Sequence, residues 1–178
     1  MLKKILLTVI TIVIVAVVAV LILASKQPND FRVERTVTIN APPEKIFAYI
    51  DDFHKWTAWS PYEHLDPNMQ RTLSGAPSGK GAIYEWSGSG KVGQGRMEIL
   101  DSSPAKVSIQ LDFIKPMEGH NRAEFILAPK GDATEVSWVM SGPANFMVKV
   151  MNVFFNMDKM IGADFEKGLA DLKKVSEQ

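Results

Sequence analysis

From Ile5 to Ala24 the chain reads ILLTVITIVIVAVVAVLILA, apolar at every position but Thr8 and Thr11. At about 1.5 Å per residue, a helix of this run covers roughly 30 Å, the thickness of a bilayer's hydrocarbon core. Ser25 to Asp30 (SKQPND) then forms a short polar linker. Arg32 to Ile39 alternates, with Val33, Val37 and Ile39 on one face, which predicts a strand with one wet side. Asn40-Ala41-Pro42-Pro43-Glu44 carries the signals of a helix start: a capping Asn, early prolines and a first-turn acid. Ile46, Phe47 and Ile50 give that short helix its buried stripe. A second short helical segment is expected over Phe53 to Trp59, closed by Ser60-Pro61.

From Met69 to Gly142 the rhythm returns to two. Turn signals recur at Gly75 to Gly79, Gly88 to Gly95, Ser102 to Pro104 and Pro129 to Asp132. Val107, Ile109, Leu111 and Phe113 share one face; Ser108, Gln110 and Asp112 share the other. Val136, Trp138 and Met140 face away from Glu135, Ser137 and Ser141. Such alternation belongs to antiparallel sheets with one packed and one solvated face. Gly142-Pro143 ends the last strand. Beyond it, Met147, Val150, Phe154, Ile161, Phe165, Leu169 and Leu172 recur at helical spacing, predicting one helix from about Phe146 to Val175. The expected fold is α+β: a curved antiparallel sheet of six to seven strands wrapped around a long C-terminal helix, with two short helices after strand 1. The expected division is 1–25 membrane anchor, 26–30 linker and 31–178 folded domain.

The stretches VTINAPPEKIFAYIDDF, WTAWSPYEHLDP, GAIYEWSGSGKVGQGRMEIL and IQLDFIKPMEG, with the terminal helix, resemble the START/Bet v 1-like (SRPBCC) superfamily. Within it the chain is similar to the polyketide cyclase/dehydrase-like subgroup. The resemblance covers about Phe31 to Gln178. It implies a helix-grip fold with a cavity between sheet and terminal helix. Its members bind lipids, hormones, polyketides or other apolar molecules, and some are enzymes; the fold alone does not choose among these.

Charge and composition narrow the partners. Basic and acidic residues number 20 each, and Lys3 and Lys4 precede the apolar run, so the chain beyond that run is slightly acidic. No basic stripe argues for nucleic acid. The absence of cysteine excludes thiol nucleophiles, disulfides and Cys-held metals. The apolar run is too long for a signal peptide's core, and Ile22-Leu23-Ala24 is a poor cleavage site, so an uncleaved single-pass anchor is expected. Lys26, Arg32 and Arg35 follow the run and nearly balance Lys3 and Lys4. The MLKK start favours a cytoplasmic N-terminus, a domain outside the cytoplasm and a place in the cell membrane.

The candidate lining of an apolar pocket comprises the rings Trp56, Trp59, Tyr62, Tyr84, Trp86, Phe113, Phe125 and Trp138. Amphipathic rings offer contact area plus one polar atom. Met97, Leu111, Met140, Met147, Met151 and Phe154 complete the set, methionine being adaptable to varied ligand shapes. Because Phe154 and Phe155 are adjacent, both cannot face one side of a helix, and one is free to meet a bilayer or a partner.

No catalytic residue, metal or cofactor is expected. His54, His64 and His120 lack metal-ligand spacing. Asp52 with His54 and His64 with Asp66 read as cap and turn residues. A cyclase-type enzyme would need a polar dyad inside, such as a His or Tyr with an Asp, Glu or Arg; Glu85, Arg96, Glu98, Asp112, Arg122 and Glu124 are the candidate members, but with the aromatics facing inward alternation turns Glu85 and Asp112 toward water. Gly88-Ser89-Gly90-Lys91-Val92-Gly93 fits G-x-G-x-x-G, yet a strand follows where a helix would be needed, and Gly75 to Gly81 falls short of a P-loop; both read as hairpin turns. The function expected is a membrane-anchored binding protein for a hydrophobic small molecule or lipid. The alternatives are a polyketide cyclase/dehydratase-like enzyme and a protein-interaction module of the cell envelope.

Overall fold

The computed structural model describes residues 2–90 and 92–178; Met1, and Lys91 of the glycine-rich turn, lie outside the described residues. By packing, the chain falls into two units. The first holds Met1–Phe31 and Pro143–Met157, the second Arg32–Gly142 and Asp158–Gln178.

In the first unit, helix α1 (Leu2–Ser25) is long and apolar enough to cross a membrane. Its side chains are exposed along nearly the whole length. The two hydroxyls in the run are satisfied internally: Thr8 Oγ1 donates to the Lys4 carbonyl and Thr11 Oγ1 to that of Leu7. Such back-bonding leaves the helix surface without an unpaired polar side chain in that stretch.

The second unit is a seven-stranded antiparallel sheet with helices on its concave face. The strands are β1 (Asp30–Ile39), β2 (Gln70–Gly75), β3 (Ala82–Ser87), β4 (Gln94–Ser103), β5 (Lys106–Lys115), β6 (Gly119–Lys130) and β7 (Ala133–Pro143). Their spatial order is β1-β7-β6-β5-β4-β3-β2. The connection from β1 to β2 carries α2 (Pro43–Ile50) and two 3₁₀ turns, Phe53–Ala58 and Pro61–His64. The sheet curves with register shifts in β4 at Gln94/Gly95 and Ile99/Asp101, the local device by which strands bend. Gly93 closes the β3–β4 turn at φ 63°, with Gly88 N–H donating to its carbonyl at 2.8 Å. Gly88–Gly90 and Val92–Gly93 are thus joined as a hairpin turn, as the sequence context predicts, with Lys91 outside the described residues.

One expectation is corrected. The apolar spacing predicts a single helix from 146 to 175, but the structure has two: α3 (Phe146–Phe154) and α4 (Met157–Ser176). Phe155 between them is extended, at φ −125° and ψ 132°. α4 closes the second unit. Phe165, Leu169 and Leu172 are buried, and Lys173 Nζ reaches the Thr38 carbonyl at 2.6 Å. Arg35 on β1 binds Asp158 (3.1 Å) and Glu166 (2.7 Å), fixing the start of α4 to the sheet.

Candidate functional site

The concave face is graded along the strands. At one end Val107, Phe125 and Trp138 stand side by side on β5, β6 and β7. Trp138 stacks flat on Phe165 of α4, with centroids 4.1 Å apart and planes 5° apart. Trp59 meets Phe125 at 5.7 Å and Trp138 at 5.6 Å, and Trp56 meets Trp59 at 4.9 Å. These rings occupy the space between sheet and α4 at this level. Each edge-to-face pair adds about 0.5–1.5 kcal/mol beyond the area it buries. The polar edges are satisfied: Trp56 Nε1 donates to the Ile50 carbonyl (2.9 Å) and Trp59 Nε1 to that of Tyr49 (3.1 Å). Gly168 of α4 permits the close approach, because a Cβ there would sit 2.7 Å from Trp138 and 2.8 Å from Pro61.

Toward the other end the face stays buried through one row and loosens only in the outermost. One row across the sheet reads Tyr84, Met97, Leu111, Asn121; the next reads Trp86, Gly95, Phe113, Gly119. Trp86 and Phe113 are only half-buried, and their rings meet edge to face at 5.9 Å. The Trp86 indole lies across Gly95, which has no room for a side chain, and its Nε1 donates to the Val92 carbonyl at 3.0 Å. Tyr62 joins from the second 3₁₀ turn, 6.3 Å from Trp138. Met140 lies beside Ala123 in the row between the two ends.

A buried polar cluster borders this end. Glu63, with 3 % of its side chain exposed, accepts the Tyr84 hydroxyl on Oε1 (2.6 Å) and Arg71 Nε on Oε2 (2.6 Å). Arg71 also donates to the carbonyls of Glu63 (2.6 Å) and Met69 (3.0 Å). Burial and the hydrogen bond to Glu63 push the Tyr84 phenol well above its ordinary range. At neutral pH it is a fixed proton donor and cannot act as a base. Burial opposes the Arg71 charge, but Glu63 more than restores it. Asp66, two residues beyond this turn, accepts N–H bonds from Ser89 (2.6 Å) and Asn68 (2.9 Å), which hold its carboxyl below the usual range. On α4, burial raises the Asp164 carboxyl; Tyr62 is raised by its own burial and then by the Asp164 charge.

The structure therefore brings Trp56, Trp59, Tyr62, Tyr84, Trp86, Met97, Leu111, Phe113, Phe125, Trp138 and Met140 onto one face of the second unit. Met147, Met151 and Phe154 belong to α3 in the first unit, where Met147 and Phe154 are exposed. Sequence reading missed Glu63 and Arg71. Asp52 caps the first 3₁₀ turn and also holds His54 Nδ1 (2.8 Å). Among the described residues no cluster of His, Asp or Glu has a metal-holding arrangement. A separate groove of about 270 Å³ runs between Phe53-His54 and the β2–β3 hairpin. It is smaller than the roughly 300 Å³ at which small-molecule pockets begin.

Comparison with known proteins places this geometry. Among curated proteins no sequence matches the chain. The KanY protein, solved in solution by NMR, is 17% identical with a TM-score of 0.63, over 85% of this chain and 100% of that one. A protein from Thermobifida fusca is 18% identical at a TM-score of 0.61, over 82% and 92%. The di-domain ARO/CYC BexL from the BE-7585A biosynthetic pathway is 14% identical at 0.62, over 88% of this chain and 53% of that chain. At these identities the likeness is one of fold. The family model for polyketide cyclase / dehydrase and lipid transport matches residues 30–177, and the chain belongs to that family.

Proposed function

We propose that the chain is a membrane-tethered binding protein that takes an apolar small molecule or lipid between the sheet and α4. Tyr62, Tyr84, Trp86, Met97, Leu111, Phe113 and Met140 form its walls, and Trp56, Trp59, Phe125 and Trp138 form its floor. α1 is the anchor, residues 26–30 the linker, and the domain lies outside the cytoplasm. The observation that carries the reading is the gradient of the concave face. One end is packed ring on ring, while the outermost row at the other end keeps Trp86 and Phe113 half in water above a buried row of Tyr84, Met97 and Leu111. An apolar ligand covering those rings gains about 25 cal/mol for each Å² it removes from water. Family membership supports the same reading. Methyl NMR of ¹³C-methionine protein in nanodiscs, titrated with oleate and with a polycyclic aromatic, tests it. Met97 and Met140 are expected to shift while the exposed Met117 stays fixed. Unmoved Met97 and Met140 signals with both probes would overturn it.

A second reading, a cyclase or dehydratase, is favoured by the Glu63–Arg71–Tyr84 cluster. It sets a phenol that stays protonated beside the apolar rows. Under that reading the Tyr84 hydroxyl leaves Glu63 when substrate binds and turns its one hydrogen to an enolate or leaving oxygen of the substrate. Tyr84→Phe would then abolish turnover of a poly-β-ketone substrate while leaving its binding intact, whereas equal turnover by wild type and variant would dismiss it.

A further inference from the structure

The short helix α3 is out of place as part of a soluble surface. Its sequence, FMVKVMNVF, holds one charge, and none of its residues is buried. Phe146, Met147 and Phe154 are 55%, 56% and 63% exposed, and Phe155 just beyond is 56% exposed. At about 100° per residue, Phe146, Met147, Val150 and Phe154 fall within an arc of roughly 100° on one side of the helix. Lys149 and Asn152 fall outside that arc.

The first unit fixes where this bare side is. α3 packs against α1. The Ala144 N–H donates to the Asn29 carbonyl at 2.7 Å, and Lys149 Nζ binds Asn29 Oδ1 at 2.6 Å. Asn29 lies four residues past the end of α1. α3 is thus held at the C-terminal end of the membrane-length helix, the depth at which such a helix leaves the hydrocarbon. Its lysine is turned to the linker.

We infer that α3 is an interfacial helix that lies on the bilayer beside α1 and buries Phe146, Met147 and Phe154 among the lipids. This rests on the reading of α1 as an anchor. α3 turns aromatic and Met side chains to its front and keeps its two polar residues, Lys149 and Asn152, off that front; a helix with such an apolar face settles at the headgroup boundary. The occupant of this face is the lipid surface: α3 packs on α1, and the apolar side chains of both helices are exposed. In sequence α3 joins β7 to α4, so the same segment carries the chain from the sheet to the helix that covers it.

The chain has no cysteine, so single cysteines at Phe154, Met147, Ile14 and Asp132 each give one spin label in the full-length protein. Collision with oxygen and with a water-soluble nickel chelate is read by EPR in nanodiscs of phosphatidylethanolamine and phosphatidylglycerol. I14C reports the anchor itself, and D132C, on the exposed β6–β7 turn, reports water. Oxygen collisions several-fold above nickel at F154C and M147C, as at I14C, are the expected result. Nickel-dominated F154C and M147C beside a lipid-buried I14C would overturn the inference and spare the anchor. Labels shielded from both reagents would mean that a protein surface covers α3, and would also overturn it. Nickel access at I14C would remove the anchor and this inference together. Near-UV circular dichroism matching the unlabelled protein shows that each variant has folded.

Discussion

Glu63 leaves almost nothing of its side chain in water and uses both carboxylate oxygens, one on Tyr84 and one on Arg71. Arg71 keeps 31% of its side chain in water, so stranding it costs less than breaking a fully buried pair. E63A is therefore expected to lose about 2 kcal/mol in urea unfolding and Y84F about 1–2 kcal/mol, the usual penalty for a buried polar group left unpaired. In a double-mutant cycle the two losses should fall well short of additive, since both remove one hydrogen bond; strict additivity would show that the cluster is not a unit. Two aspartates should respond to pH with opposite sign. Asp66 is held below its ordinary value, so its stabilisation is complete above about pH 4 and fades as pH falls through its lower folded value. Asp164 is raised by burial, so stability falls as pH climbs from its ordinary value through its higher folded value, above which the cost is complete. D66N should thus lower the urea midpoint at pH 7 and D164N should raise it, both differences shrinking toward pH 3. Equal signs at pH 7 would contradict the assignment. None of these roles was legible in the sequence. Glu63 sits in a four-residue 3₁₀ turn, too short for periodicity to show which way a side chain points, and its partners come from two separate strands.

At the scale of elements, alternation carried most of the information. In β4 to β7 the apolar positions mark the buried face, and the turn residues mark the hairpins. The break between α3 and α4 stayed hidden for a physical reason. Phe154 and Ile161 are seven residues apart, nearly two helical turns, so the apolar stripe runs in phase across the gap. No glycine or proline stands at Phe155 or Asn156 to signal an end. The start of α3 is better defined: Asn145 Oδ1 accepts the Val148 N–H at 3.0 Å. Removing such a cap costs a helix about 1 kcal/mol. N145A in nanodiscs is expected to speed amide hydrogen exchange through Phe146–Phe154 while leaving Leu169–Leu172 unchanged. Equal acceleration in both segments would mean that α3 has no separate stability of its own.

Across the whole molecule the fold was legible because several local signals agreed: strand rhythm, helix signals and a terminal apolar stripe all pointed to one architecture. Which end of the concave face is packed and which is looser was not. That depends on rings from distant segments meeting, as Trp59 of a 3₁₀ turn meets Phe125 of β6 and Trp138 of β7. Periodicity gives each ring a side of the sheet but not a neighbour. The proposed function stands or falls on whether the outer rows hold an apolar molecule beside a membrane. Native mass spectrometry of the full-length chain, released from detergent after purification from membranes, decides this. A discrete adduct of one apolar molecule per chain is expected, lost in F113R, which places a charge in the outermost row without entering the packed end. A folded wild-type chain that flies without any adduct, or an F113R chain that carries the same one, would contradict the proposal.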